Sequence, residues 1–263
     1  MKTIYLLLFA TLINISAFSQ YSESESTFKF VGHRGASYLA PENTLASIGL
    51  AWKVGADAAE CDVMLTSDFK VVLCHDNNTK NLTGESYIVS ETTWEQLSKL
   101  TIKPKETNLP EYDNEPIPLL EEILTTIPED RMLVIEIKTG PEILPYLQKV
   151  IDEQWRSGKI SFIAFNFETI TAAKALYPEV PCYYLSSLKN DFNKYFDLAV
   201  DRGLDGMDLR HTIITPSLME KCKSVGLDVW CWTVNDPDIA QKMKELGVTA
   251  VTTDRPAWLK ENL

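Results

Sequence analysis

Arg131-Met132-Leu133-Val134-Ile135-Glu136-Ile137-Lys138 is followed by a helical pattern over residues 142–155 and by the apolar run 160–165. The two outer segments are short and rich in β-branched residues, which reads as strand, and the span between them is long enough for several helical turns. Strand, helix and strand in succession make the unit of a parallel sheet.

Toward the C-terminus the alternation continues, with helices over 168–176, 192–202, 217–225 and 239–246 and strands over 180–185, 206–209, 228–234 and 250–253. Toward the N-terminus, 28–35 reads as a strand ended by a glycine turn. Asn43 or Thr44 caps a helix with an apolar face of Leu45, Ile48, Leu50, Ala51 and Val54, and Gly55 stops it. Residues 58–66 form a second strand, and 71–75 is a short apolar run returning toward the same end. Strands beginning at Phe28, Ala58, Arg131, Ile160, Val180, Gly206, Asp228 and Ala250 give eight βα repeats. Eight in this length point to an α/β fold of the TIM (β/α)8 barrel type rather than a doubly wound sheet, and no GxGxxG follows the first strand to support the latter. Residues 77–117 break the pattern, with Asn77-Asn78, Thr83-Gly84, Pro104, Pro110 and Pro116, and one helical segment at 94–100. So long an irregular stretch reads as a small insertion after the second strand that covers a site.

The chain opens with Lys2, an apolar run over 4–15 and Ala17-Phe18-Ser19 before Gln20. This reads as a cleavable signal peptide over 1–19, its apolar stretch too short for stable membrane insertion. A Ser/Glu-rich flexible tail at 20–27 then leads into a single barrel domain over 28–263. Export places the protein in the periplasm or outside the cell. A net charge of -12 excludes nucleic acid and anionic membrane surfaces as partners. The five cysteines are odd in number, mostly within strand-like runs and without zinc-ligand spacing, so buried free thiols are expected.

In such a barrel, functional groups stand at the C-terminal ends of the strands. Those ends carry His33 and Arg34, Glu60 and Asp62, Glu136 and Lys138, Phe165-Asn166, Asp208 and Arg210, Trp232, and Asp254. Strand residues two apart share a face, so Glu60 and Asp62 point together into the barrel mouth while Cys61 faces the helices. Glu136 pairs with Lys138 in the same way, and Trp230 with Trp232. Buried carboxylates without partners are costly, so Glu60, Asp62 and Glu136 at one rim invite a cation. An all-oxygen set selects one hard divalent ion, Ca2+ or Mg2+. The competing account makes Glu136–Lys138 and Arg34–Asp62 simple ion pairs, with His33 and His75 as polar caps of strand ends. Asp208 and Arg210 read as a structural rim pair, His211 as a loop residue and Asp254 as a helix or turn cap. Trp232 is core, or the wall of a substrate pocket.

Gly32-His33-Arg34-Gly35, Pro41-Glu42-Asn43-Thr44, Glu60-Cys61-Asp62-Val63, Val72-Leu73-Cys74-His75-Asp76, Ile117-Pro118-Leu119-Leu120-Glu121, Ile135-Glu136-Ile137-Lys138, Trp232-Thr233-Val234-Asn235 and Thr253-Asp254-Arg255-Pro256 occur in this order. The ordered set resembles the glycerophosphodiester phosphodiesterase family, of the phospholipase C-like phosphodiesterase superfamily. The resemblance implies a barrel with an insertion after its second strand and a divalent cation held by Glu60, Asp62 and Glu136. It implies His33 and His75 as acid and base, Arg34 and Lys138 as phosphate-binding cations, and Phe165 and Trp232 at the substrate. The implied partner is a small-molecule glycerophosphodiester, cleaved to an alcohol and glycerol 3-phosphate. The attacking group is either the adjacent glycerol 2-hydroxyl or water, and either histidine can serve as base. Two departures stand out: Ala164-Phe165-Asn166 where the family often has Ser-Phe, and the run Asn77 to Gly84 where it has a Leu-Asp-Arg-like segment. The second bears on the choice of leaving alcohol.

Other readings are a phospholipase C-like enzyme acting on a lipid or cyclic phosphate, a metal-free barrel glycosidase, and a ligand-binding barrel without catalysis. The acidic balance and lack of a Lys/Arg cluster oppose the lipid-surface enzyme. The presence of His33, His75, Glu60, Asp62 and Glu136 together opposes the inert barrel.

Overall fold

The computed structural model describes residues 28–263; the expected leader at 1–19 and tail at 20–27 lie outside the described residues. Its strands are β1 (Lys29–Gly32), β2 (Ala58–Leu65), β3 (Val71–Leu73), β4 (Met132–Ile137), β5 (Lys159–Ala164), β6 (Cys182–Ser186), β7 (Gly206–Arg210), β8 (Asp228–Trp232) and β9 (Ala250–Thr253). β1, β2 and β4 to β9 are parallel neighbours in chain order, and β1 pairs with both β2 and β9, so eight strands close into a TIM barrel. They are the eight expected strands. β3 is the short returning run and lies antiparallel on β2, with Val63 opposite Leu73.

Closure divides each strand between two cores. Val31, Ala58, Val134, Ile163, Tyr183, Leu185, Trp230 and Ala250 fill the barrel interior. Their alternates, such as Phe30, Cys61, Ile135, Phe162 and Val251, pack outward under the helices. Each large apolar side chain so buried contributes about 1.5–3 kcal/mol. All five cysteines are buried and free. Among the described residues, no helix is long and apolar enough to cross a membrane.

The insertion is more ordered than its composition suggests. It carries short helices at Lys80–Thr83 and Trp94–Leu97. Val89, Leu97, Leu100, Ile102 and Ile117 form a separate apolar cluster against Met64, Val72 and Cys74. It thereby clamps onto the β2–β3 hairpin beside the barrel mouth.

At the N-terminal turn, Thr44 and Ser47 form a reciprocal capping box for the helix Leu45–Lys53. The turn before it holds Arg34 at φ 54° and Gly35 at φ 83°. A Cβ on Gly35 would collide with the Ser47 backbone, so this approach of turn to helix requires glycine. Gly35→Ala is expected to cost at least about 2 kcal/mol of stability, from strain and steric overlap together. Chemical denaturation reads this directly, and an unchanged midpoint would refute it.

Candidate active site

β2 and β4 run side by side with Asp62 directly opposite Glu136. Glu60 precedes Asp62 by two and faces the same way. The three carboxylates each offer an oxygen within 4.8 Å of the others. All three residues are buried, and Glu60 Oε1 and Asp62 Oδ1 have no hydrogen-bond donor.

The remaining oxygens are held from several elements. The strained turn aims the Arg34 amide at Glu60 Oε2, 2.8 Å away. The Arg34 guanidinium lies 3.3 Å from Asp62 Oδ2 through Nε and donates to Glu42 Oε1 at 2.6 Å through Nη1. Asn43 donates to Asp62 Oδ2 at 2.8 Å and accepts from the Asp62 amide at 3.0 Å. Lys138 Nζ donates to Glu136 Oε1 at 2.7 Å and stands 3.4 Å from Asp62 Oδ1. The expected ion pairs are therefore present, yet they leave carboxylate oxygens over.

His33 Nδ1 lies 2.7 Å from Asp254 Oδ1, and His75 Nδ1 lies 2.7 Å from Asp76 Oδ1. An ionised carboxylate only accepts, so each Nδ1 carries its proton and each Nε2 is left for chemistry. Asp254 is thus not the cap expected from the sequence: Ser37 and Asn235 also donate to its carboxylate, and the helix Pro256–Glu261 has no side-chain cap. Asp208 and Arg210 do not form the expected rim pair either. Asp208 is turned inside and 1% exposed, whereas Arg210 ends the strand in solvent.

Two cavities meet at this cluster. One, of about 230 Å³, fills the barrel mouth and is lined by His33, Arg34, His75, Phe165, Asp208 and Trp232, with Glu60 and Glu136 beneath. The other, of about 270 Å³, opens between barrel and insertion and is lined by Arg34, Glu42, His75, Asn81, Lys103 and Lys105 among others. Phe165 meets Trp232 edge-on, with ring centroids 5.5 Å apart, and Lys138 Nζ lies 5.9 Å from the Phe165 ring centre. All nine residues singled out from the sequence therefore gather around one end of the barrel.

Residues 33–258 match the model of the glycerophosphoryl diester phosphodiesterase family. The chain belongs to this family. A glycerophosphodiester phosphodiesterase of Caldanaerobacter subterraneus is 30% identical over 236 residues, covering 87% of this chain and 95% of that one. Among known structures, an Oleispira antarctica phosphodiesterase in complex with the product sn-glycerol-3-phosphate is 28% identical. It superposes at a TM-score of 0.82 over 89% of this chain and 96% of that one. The protein is accordingly a phosphoric diester hydrolase, with a small molecule as substrate.

The carboxylate cluster of this family member suits a hard divalent cation, since its donors are all oxygen and two are unmatched. Burial, then Asp62 and Glu136, raise Glu60 well above the ordinary carboxyl range. Burial and Asp62 push Glu136 up to about 7. Burial opposes the Asp62 charge as well, but Arg34 and Lys138 outweigh it and lower that group. A carboxyl raised on folding keeps a proton that the unfolded chain has released, so it withdraws stability as pH climbs toward its folded value. A cation entering the cluster displaces the same proton. Divalent-ion affinity should therefore rise about tenfold between pH 6 and pH 8, as one group near 7 ionises. Stability of the metal-free protein should fall over the interval leading up to about 7. Titration calorimetry and melting at the two pH values check both signs.

Proposed function

We propose that this enzyme hydrolyses glycerophosphodiesters, the deacylated forms of phospholipids, to an alcohol and sn-glycerol 3-phosphate. In this reading Glu60, Asp62 and Glu136 hold a divalent cation, Ca2+ or Mg2+, and His33 and His75 form the acid–base pair. The observation that carries it is the convergence of both histidines, Arg34 and the carboxylate cluster on one cavity. Bound there, the cation would supply Lewis-acid charge for the phosphoryl oxygens.

The chain's own groups do the rest. Arg34 and Lys138 offset charge on the non-bridging oxygens, fixed in place by Glu42, Glu136 and Asp62. Burial opposes both cations, but Asp62 and its neighbouring carboxylates raise both, so they stay charged across the working range. The barrel-mouth cavity, with its apolar walls of Ile163, Phe165, Leu185 and Trp232, takes the glycerol end, common to all substrates, while the polar insertion-side cavity takes the head-group alcohol. His33 lines only the first cavity and His75 lines both. His33 is accordingly the base that accepts a proton from the attacking hydroxyl, and His75 the acid that returns one to the departing oxygen. If the attacking group is the glycerol 2-hydroxyl, intramolecular reaction adds effective molarity, and the cyclic phosphate it forms as the alcohol leaves is then opened by water to glycerol 3-phosphate.

Turnover of glycerophosphocholine, glycerophosphoethanolamine and glycerophosphoinositol by purified protein, abolished by EDTA and restored by Ca2+ or Mg2+, is the expected result. No turnover with metal present overturns the reading. His33→Ala and His75→Ala should each lower kcat by ~100-fold or more. With p-nitrophenol as leaving group, which departs without a proton, the His75→Ala defect should largely vanish while that of His33→Ala persists. Equal defects on both substrates would reject the assignment of acid and base.

The leader supports export, with Lys2, the apolar run and Ala17-Phe18-Ser19 in the right order. Mass spectrometry of the exported protein should find Gln20 as its first residue; an intact Met1 or Lys2 would count against cleavage.

A further inference from the structure

Asp208 lies on β7 opposite Leu185 of β6 and Trp230 of β8, and its Oδ1 is buried without a hydrogen-bond donor. Strand parity turns it inward. A Cβ on Gly206, two residues earlier, would strike the Tyr183 ring of the inner core, whereas Met207 and Leu209 belong to the outer core. The side chain therefore lines the barrel-mouth cavity beside Phe165, Leu185, Trp232 and His33. Among the described residues it makes no ion pair, and it lies outside the cluster of Glu60, Asp62 and Glu136.

The surroundings fit the carbon and oxygen of a small polyol. Ile163, Leu185, Phe165 and Trp232 supply apolar walls, and Trp232 is pinned by donating its indole N–H to the Asp208 carbonyl at 3.2 Å. Burial, then Glu136 and Asp228, hold the Asp208 carboxyl well above its ordinary range. A carboxyl accepts a hydrogen bond from a hydroxyl in either protonation state, and Oδ1 has no donor of its own. An unmatched buried polar atom destabilises the free protein, and a ligand hydroxyl relieves it.

We infer that Asp208 is a specificity-determining residue whose carboxyl hydrogen-bonds the terminal hydroxyl of the substrate's glycerol end. The inference rests on the glycerophosphodiesterase reading above and deepens it. Asp208 selects substrates with that hydroxyl free and rejects those in which it is esterified.

The test compares wild-type enzyme with Asp208→Leu and Asp208→Asn on three substrates. These are glycerophosphocholine, glycerophosphoinositol and the glycerophosphocholine analogue with a methyl group in place of its terminal hydroxymethyl. Wild type should prefer glycerophosphocholine to the analogue by at least about tenfold in kcat/KM. Asp208→Leu should erase that preference, losing at least about tenfold on both natural substrates alike and little on the analogue. Its melting temperature should be unchanged or higher, since an unmatched acid has gone. Asp208→Asn keeps one donor and one acceptor and should reduce the preference only partly; if the leucine variant does not fold, this variant decides. A preference that persists unchanged in the variants overturns the inference, as does a loss confined to the choline substrate, which would make Asp208 a head-group contact. Wild-type turnover of all three with equal efficiency defeats this inference alone. Turnover of none defeats the phosphodiesterase reading and this inference with it.

Discussion

A residue in a closed parallel barrel points either into the barrel or out toward the helices, and the site is a consequence of that constraint. Register puts Asp62 beside Glu136, and parity adds Glu60, so three carboxylates converge where water is largely excluded. At a few ångströms in a medium of low polarity such charges repel by several kcal/mol even at an effective dielectric constant of about 20. Arg34, Lys138, Asn43 and one backbone amide answer part of this. They leave Glu60 Oε1 without a donor and give Asp62 Oδ1 only the Lys138 charge at 3.4 Å, and the cluster remains a place where a divalent cation is favoured. The left-handed turn at Arg34 belongs to the same balance, because in that conformation one residue presents both its amide and its guanidinium to neighbouring carboxylates.

The insertion adds what the barrel alone lacks. β3 carries the chain back along β2 so that His75 arrives beside the carboxylates, and the apolar cluster around Leu97 and Ile102 fastens the following segment to the hairpin. A second wall thereby rises over Arg34. Lys105 from this wall reaches Glu42 at 2.6 Å, tying it to the residue that also braces Arg34. Change in the loop after His75 can thus alter the head-group side without disturbing the strands that hold the carboxylates.

Much of this was legible in the sequence because it follows from a period of two. Glu60, Asp62, Glu136 and Lys138 announce their facing by position alone, and eight strand patterns announce the barrel. Asp254 reads as a cap from local sequence because its partner lies 221 residues away. Closure supplies the missing signal: β1 pairs with β9 so that Gly32 faces Thr253, and the next residues, His33 and Asp254, must then meet. Asp208 and Arg210 share a face and opposite charge, which suggested an ion pair. Strand length decides otherwise, since the rim falls between them. The insertion reads as irregular because its apolar residues follow no period; they pack as a cluster, and clusters leave no rhythm in the sequence.

The two histidines resemble each other in carrying a carboxylate on Nδ1, but their carboxylates are held differently. Asp254 is fixed by Ser37 and Asn235 and belongs to the strand-closing corner of the barrel. His33 is therefore tied to the rigid frame, as suits the base proposed for it, which must meet a hydroxyl in one place. Asp76 is exposed, and its other oxygen accepts from Asn81 at 3.3 Å, in the short helix of the insertion. His75 is thus linked to the wall of the proposed head-group cavity. Burial lowers the pKa of His75, and an anionic phosphodiester arriving beside it would favour its protonated form. The proposed acid then gains its proton most readily when the site is filled, which couples proton delivery to occupancy of both cavities.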